Sequence, residues 1–231
     1  NSFQPMLYDA WNACDLLFSM EEDKVDYYQS LTSAAVAFVH VAIDRQMEKG
    51  SFFVSRERKS RHVVVYGDNN ANGPVTIFGV LRGIGWPART VCIPPGKVSD
   101  LQRLFGVSIV SPLEKLPQYV FLGVLGRSLV HLYPTRWIGS ARQVISCAVV
   151  GTPCIGTYWS HTQRRLFPQL SVNPWDVVAM RNLIARLSED IKFYSEIVDY
   201  AIDRLDFYNL ENTIGRFVNA VVPYVVEDSH G

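Results

Sequence analysis

Cysteine is scarce in this 231-residue chain: Cys14, Cys92, Cys147 and Cys154 are the only four, and no two stand in a C-x-x-C spacing. A disulfide framework is excluded as the organising principle, and a chain of this size needs no covalent staples. An excess of either charge is lacking too, since 22 Lys and Arg face 22 Asp and Glu. Nucleic acids and anionic membrane surfaces attract through net or strongly segregated charge, so neither partner is expected. The longest apolar run, Ala34 to Val39, stops at His40, far short of the roughly 20 residues that cross a bilayer. Walker A, H-E-x-x-H and G-x-S-x-G sequences are absent, and His40, His62, His131 and His161 are scattered. Metal-dependent and serine hydrolase chemistry thus have no support, and no metal-ligand set is read from the sequence. With no N-glycosylation sequon and no signal-peptide pattern within these residues, a reducing compartment is expected.

What is present is 48% apolar and 12% aromatic residues, ample for a core. From Arg61 onward short β-branched runs alternate with helical stretches. The runs are His62 to Tyr66, Thr90 to Ile93, Val107 to Val110, Leu129 to Tyr133 and Cys154 to Thr157. Nearly continuous apolar character is what strands covered on both faces require. Between them, Pro74 suits a first helical turn, Ser99 with Gln102 reads as a capping box, and Gly106 as a left-handed stop. Gly139 and Ser140 open a helix with Val144, Ile145 and Ala148 on one face, closed by Gly151 and Pro153. Gly83-Ile-Gly85-Trp-Pro-Ala88 matches a dinucleotide fingerprint by letters, but it follows a helix and leads into a strand, so it is a turn. The expected fold is α/β: a Rossmann-like parallel sheet with helices on both faces and a C-terminal helical tail.

Three segments follow. Residues 1–55 carry a strand Leu16 to Ser19, a helix from a Ser19/Glu22 capping box to about Leu31 and a long apolar strand Ala34 to Ile43. They read as the end of a preceding domain or an extension of the sheet, with Arg56 to Arg61 a solvated linker. Residues 56–175 hold the Rossmann-like unit. Residues 176–231 form the tail, where Met180, Ile184, Leu187, Ile191, Tyr194, Val198, Ala201, Leu205 and Tyr208 make one apolar stripe, with a break expected near Ser188.

Ligands of open parallel sheets bind outside the carboxyl ends of the strands, which directs attention to two loops. Gly67-Asp68-Asn69-Asn70-Ala71-Asn72-Gly73 follows the first strand and opens a helix. Its small and amide residues suit close backbone approach to an anion, and they equally suit a plain turn. Pro134-Thr-Arg136-Trp-Ile-Gly139-Ser140-Ala141-Arg142 follows the fourth. Its two arginines supply forked donors, and Gly139 to Ala141 a helix N-terminus, a fit to diphosphate that a Ser-capped helix with surface arginines would also present.

The stretch Gly139-Ser-Ala-Arg-Gln-Val-Ile-Ser-Cys-Ala-Val-Val-Gly-Thr-Pro-Cys-Ile-Gly156 resembles the donor-site helix of GT-B glycosyltransferases. Members of the family 4 type run E-A-x-A-x-G-T-P-V-I into the next strand, and Val149-Val-Gly-Thr-Pro153 occupies the G-T-P turn in register. The resemblance extends over the chain, whose first fifty residues are similar to the end of the family's first domain. It implies one half of a GT-B fold, and an enzyme that takes a sugar from a nucleotide-diphosphate sugar held mainly by this domain. The acceptor, a glycan, lipid or protein, would sit on a partner N-terminal domain. It also implies metal-independent hexosyl transfer in polysaccharide or glycoconjugate biosynthesis, without a bound cofactor, in the cytoplasm or at a membrane reached through the acceptor. Carried over by position, Gly139, Ser140, Ala141, Arg142 and Arg136 would face the diphosphate, with Gly67, Asp68, Asn70 and Asn72 beside the phosphates or sugar. This chain departs where the family has two glutamates: Ser146 and Ile138 stand there, and Asn70 and Asn72 replace a basic pair. Loss of carboxylates that bind sugar hydroxyls removes charged hydrogen bonds worth roughly 1.5–3 kcal/mol each. A non-catalytic sugar-recognition module and a nucleotide-sugar epimerase on the same fold are the alternatives.

Overall fold

The computed structural model describes residues 3–43, 52–66, 72–91, 95–113, 116–135 and 142–227. The chain divides into two compact units, one of residues 1–45 with 206–231 and the other of residues 46–205. The predicted helical tail is thereby shared, with 176–205 in the second unit and the rest in the first.

In the first unit, α1 (Phe3–Asn12) precedes β1 (Leu16–Ser19), α2 (Val25–Gln29) and β2 (Ala35–Phe38), and β1 and β2 pair in parallel. Two expectations fail here. The Ser19 hydroxyl donates to the Glu21 carbonyl at 2.8 Å instead of capping a helix, so residues Glu22–Lys24 form only a 3-10 turn before α2. The long strand from Ala34 to Ile43 is four residues, because beyond Phe38 the backbone leaves the ladder and Ile43 bridges to Asn209 alone.

The second unit contains β3 (Ser60–Tyr66), α3 (Asn72–Ile84), β4 (Ala88–Val91), α4 (Pro95–Phe105), β5 (Ile109–Leu113), α5 (Gln118–Gly126), β6 (Ser128–Tyr133), α6 (Arg142–Val149), β7 (Cys154–Thr157), α7 (His161–Leu166) and β8 (Ser171–Val172). Two helices, α8 (Val177–Glu189) and α9 (Ile191–Ile202), complete it, and α10 (Leu210–Glu227) belongs to the first unit. The sheet is wholly parallel, in the order β5-β4-β3-β6-β7-β8. All five expected strands are present, and β8, only two residues long, is a sixth that its polar sequence hid. Because parallel crossovers are right-handed as a rule, crossovers running outward in two opposite directions from the centre place helices on both faces. Hence Val63, Val64 and Val65, three consecutive residues of a central strand, are all fully buried.

Several local signals read differently in three dimensions. Ser99 lies inside α4, which begins four residues earlier, so its pairing with Gln102 is no capping box. Gly106 does end that helix at φ 63°, its N–H donating to the Gln102 carbonyl at 2.8 Å. Gly83 and Gly85 fall at the end of α3, confirming a turn. The apolar stripe of the tail is interrupted at Asp190, two residues after the expected break. Its carboxylate accepts from the Phe193 N–H at 2.9 Å, capping a new helix whose changed phase leaves Ile191 59% exposed.

The basic stretch Arg56 to Arg61 is solvated only in part: Glu57, Arg58, Ser60 and Arg61 are exposed, whereas Arg56 and Lys59 turn inward. Lys59 Nζ donates to the carbonyl of Gly126 at 2.6 Å, to that of Val150 at 3.4 Å and to Thr152 Oγ1 at 2.9 Å. These acceptors cluster where α5 and α6 end, the negative pole of both helix dipoles. Arg56 likewise donates to the Ser188 carbonyl at 2.6 Å, near the end of α8.

Candidate functional site at the sheet switch point

From β3 the chain builds outward through β4 to β5, then returns to place β6 against the other side of β3 and continues to β7 and β8. The strand order therefore reverses between β3 and β6. At such a point the two following loops diverge to opposite faces and open a crevice at the carboxyl edge of the sheet. The pairing of Val65 with Leu132 fixes the two strands side by side, so the ends at Tyr66 and Tyr133 are neighbours. Both loops singled out from the sequence leave from these ends.

Of the expected site residues, Gly67, Asp68 and Asn70 lie outside the described residues, as do Arg136, Gly139, Ser140 and Ala141. Asn72 is the first residue of α3, and Arg142, exposed, is the first of α6. Both helices thus direct their N-termini toward the carboxyl edge. Free N–H groups of a first turn, and the partial positive charge of the dipole, favour an anion there. Ser146 lies deeper on α6 and is only 5% exposed, and the helix contains no carboxylate.

Gly151 and Thr152 of the Gly-Thr-Pro turn each have a structural explanation. Gly151 takes φ 66° and its N–H donates to the Ala148 carbonyl at 3.2 Å, while the Thr152 N–H reaches back to Cys147 at 2.8 Å. This pair of bonds is a Schellman cap, which calls for glycine at its left-handed position. A side chain at Gly151 would also run into the Phe53 ring. The buried Thr152 hydroxyl donates to the Leu125 carbonyl at 2.9 Å and accepts from Lys59. Burial brings the Lys59 ammonium down to a pKa of about 7. Tyr194 adds a buried hydroxyl that donates to the Gly151 carbonyl at 3.2 Å, and burial raises its pKa.

One feature escaped the sequence reading. The segment after β7, Tyr158-Trp159-Ser160, stands at the same carboxyl edge, next to the end of β6. Tyr158 is 43% exposed and meets Trp159 edge-on at 5.7 Å, and the Ser160 hydroxyl caps α7. Two aromatics immediately after an apolar strand were the available signal.

No family model and no curated protein matches the sequence. Solved structures do match in fold. A sucrose-phosphate synthase from Thermosynechococcus elongatus aligns with a TM-score of 0.79 at 13% identity, covering 97% of this chain and 63% of that one. An α,α-trehalose 6-phosphate synthase from Burkholderia multivorans gives 0.78 at 12%, covering 97% and 62%. The Anabaena protein HepE, solved in complex with UDP and glucose, gives 0.78 at 10%, covering 95% and 66%. The chain spans about three-fifths to two-thirds of the length of these structures. The fold they share with it is the GT-B type of glycosyltransferases.

Proposed function

We propose that this chain supplies the donor-binding half of a glycosyltransferase, holding a nucleotide-diphosphate sugar at the switch point between β3 and β6. The observation that carries the proposal is topological: the two loops with phosphate-suited composition both leave the edge where the strand order reverses. The solved complex of HepE with UDP and glucose, on the same fold, supports a donor of this class. The N-termini of α3 and α6, with Arg142, would balance the charge that builds on the leaving diphosphate, so that no metal is required for that role. Arg136, Gly139, Ser140 and Ala141 would complete the phosphate side, with Gly67, Asp68, Asn70 and Asn72 facing phosphate or sugar. The base that activates the acceptor, and the acceptor site, would come from a partner N-terminal domain.

A second function, donor or glycan recognition without catalysis, is favoured by one observation: the position of the resembled carboxylate is held by Ser146, buried and uncharged. The two are separated by experiment. Calorimetry with UDP-, GDP- and ADP-sugars is expected to show binding of one donor class, and silence across the panel would sink the donor site. Transfer or hydrolysis of the bound donor by the full-length protein identifies the enzyme; tight binding with neither identifies the recognition module.

A further inference from the structure

His131 on β6, Cys154 on β7 and Cys147 on α6 meet inside the second unit, away from the carboxyl edge. His131 and Cys154 are paired across adjacent parallel strands, so their side chains project from the same face of the sheet. All three residues have no solvent exposure, and one ligand atom from each lies within 4.8 Å of the others. His131 Nδ1 is 3.1 Å from the Val64 carbonyl, which can only accept, so the proton sits on Nδ1 and the Nε2 lone pair is left for another partner. Nε2 is fully buried and has no hydrogen-bond partner. A ring fixed through one nitrogen to a backbone carbonyl, with its other nitrogen left unpartnered and the ring beside two thiols, is how metal-binding histidines are held in orientation.

We infer that His131, Cys147 and Cys154 form a buried structural site for a thiophilic closed-shell cation, Zn2+ or Cu+. Thiolate and imidazole donors select these ions over hard cations such as magnesium or calcium, which take oxygen ligands. Bonds of about 2.3 Å to sulfur and about 2.0 Å to nitrogen set ligand atoms roughly 3.5–3.8 Å apart, so the cluster need close by no more than roughly 1 Å on loading. Binding releases the two thiol protons and leaves the imidazole neutral. With Zn2+, which takes a fourth donor besides these three in a closed structural site, the complex has no net charge. With Cu+ it carries one negative charge, which the Lys59 ammonium, acting electrostatically on Cys147, would offset. The ion would link β6, β7 and the last turn of α6, three elements that converge under the switch point, and it takes no part in sugar transfer.

The site is tested on the full chain, expressed with zinc or with copper supplement and analysed for metal after purification. One equivalent per chain of either ion is expected, and the ion found decides between zinc and copper. Because Cys147→Ala and Cys154→Ala alter the core, a second measurement uses the unaltered protein: refolding with Co2+ in place of the native ion is expected to produce sulfur-to-cobalt charge-transfer absorption in the near-ultraviolet. In any alanine variant that folds, metal content should fall from one equivalent to the buffer background. Metal at background under both supplements, together with no charge-transfer absorption, overturns the site. So does a folded variant that keeps its full equivalent.

Discussion

At the scale of single residues, Gly151 and Lys59 show how much a short sequence motif can owe to helix termination. Gly151→Ala places a Cβ in the left-handed region and against the Phe53 ring. The backbone penalty is about 1–2 kcal/mol and the ring must also shift, so urea unfolding should show a loss of about 2 kcal/mol or more. Lys59 predicts a pH dependence. Its pKa is depressed in the folded state to about 7 from 10.5. Above pH 7 the unfolded chain therefore holds a proton that the native chain has released, and stability rises with pH through that window. Below pH 7 both states are protonated, and the cost of burying the charge is fully present. Lys59→Met abolishes this term while leaving three acceptors unserved. The measurement is the difference in unfolding free energy between wild type and variant at pH 7 and 8, which is expected to grow in favour of wild type. A flat difference would place the titration elsewhere. The Gly-Thr-Pro letters were legible in the sequence, but their employment as a Schellman cap was not, since that depends on which carbonyls the turn returns to.

At the scale of elements, α6 is where fold and function meet. Its C-terminal end is tied down by the cap, by Lys59 and by the Tyr194 hydroxyl, while its N-terminal residue Arg142 is exposed at the carboxyl edge. Arg142→Ala should therefore leave stability within about 0.5 kcal/mol, as for most exposed substitutions. Under the proposed function the same change weakens nucleotide-diphosphate binding by a charged hydrogen bond of about 1.5–3 kcal/mol, roughly 10- to 150-fold in Kd. Nucleoside binding should hardly change, and calorimetry that finds equal losses for both would contradict a phosphate role. Tyr194→Phe tests the opposite end: α9 loses a buried hydroxyl donor, and stability should fall by about 1–2 kcal/mol in denaturant unfolding. Strand and helix identities were readable because apolar runs of the right length and stops such as Gly106, whose N–H donates to the Gln102 carbonyl at 2.8 Å, are local signals. The false caps at Ser19 and Ser99 had the right letters in the wrong backbone setting, and β8 was too short and polar to be seen at all.

At the scale of the whole molecule, residues 46–205 form one unit built round a doubly wound sheet, with 1–45 and 206–231 making the other. If the donor binds at the switch point, hydrogen exchange should slow at the ends of β3 and β6 and in the first turn of α6, and not along the β4 and β5 side of the sheet. Slowing confined to the latter would move the site. The alternation of apolar runs and capped helices by itself determined the parallel α/β class, because strand burial on both faces and helix periodicity are written in composition and spacing. It also picked out the two loops at the switch point, since loops after parallel strands fall on one edge by topology. Only the tertiary structure decided that Lys59 serves as a half-buried tie rather than a solvated charge, and that His131, Cys147 and Cys154 meet in the core. Contacts between residues far apart in the chain depend on which strands become neighbours, and no local pattern encodes that distance.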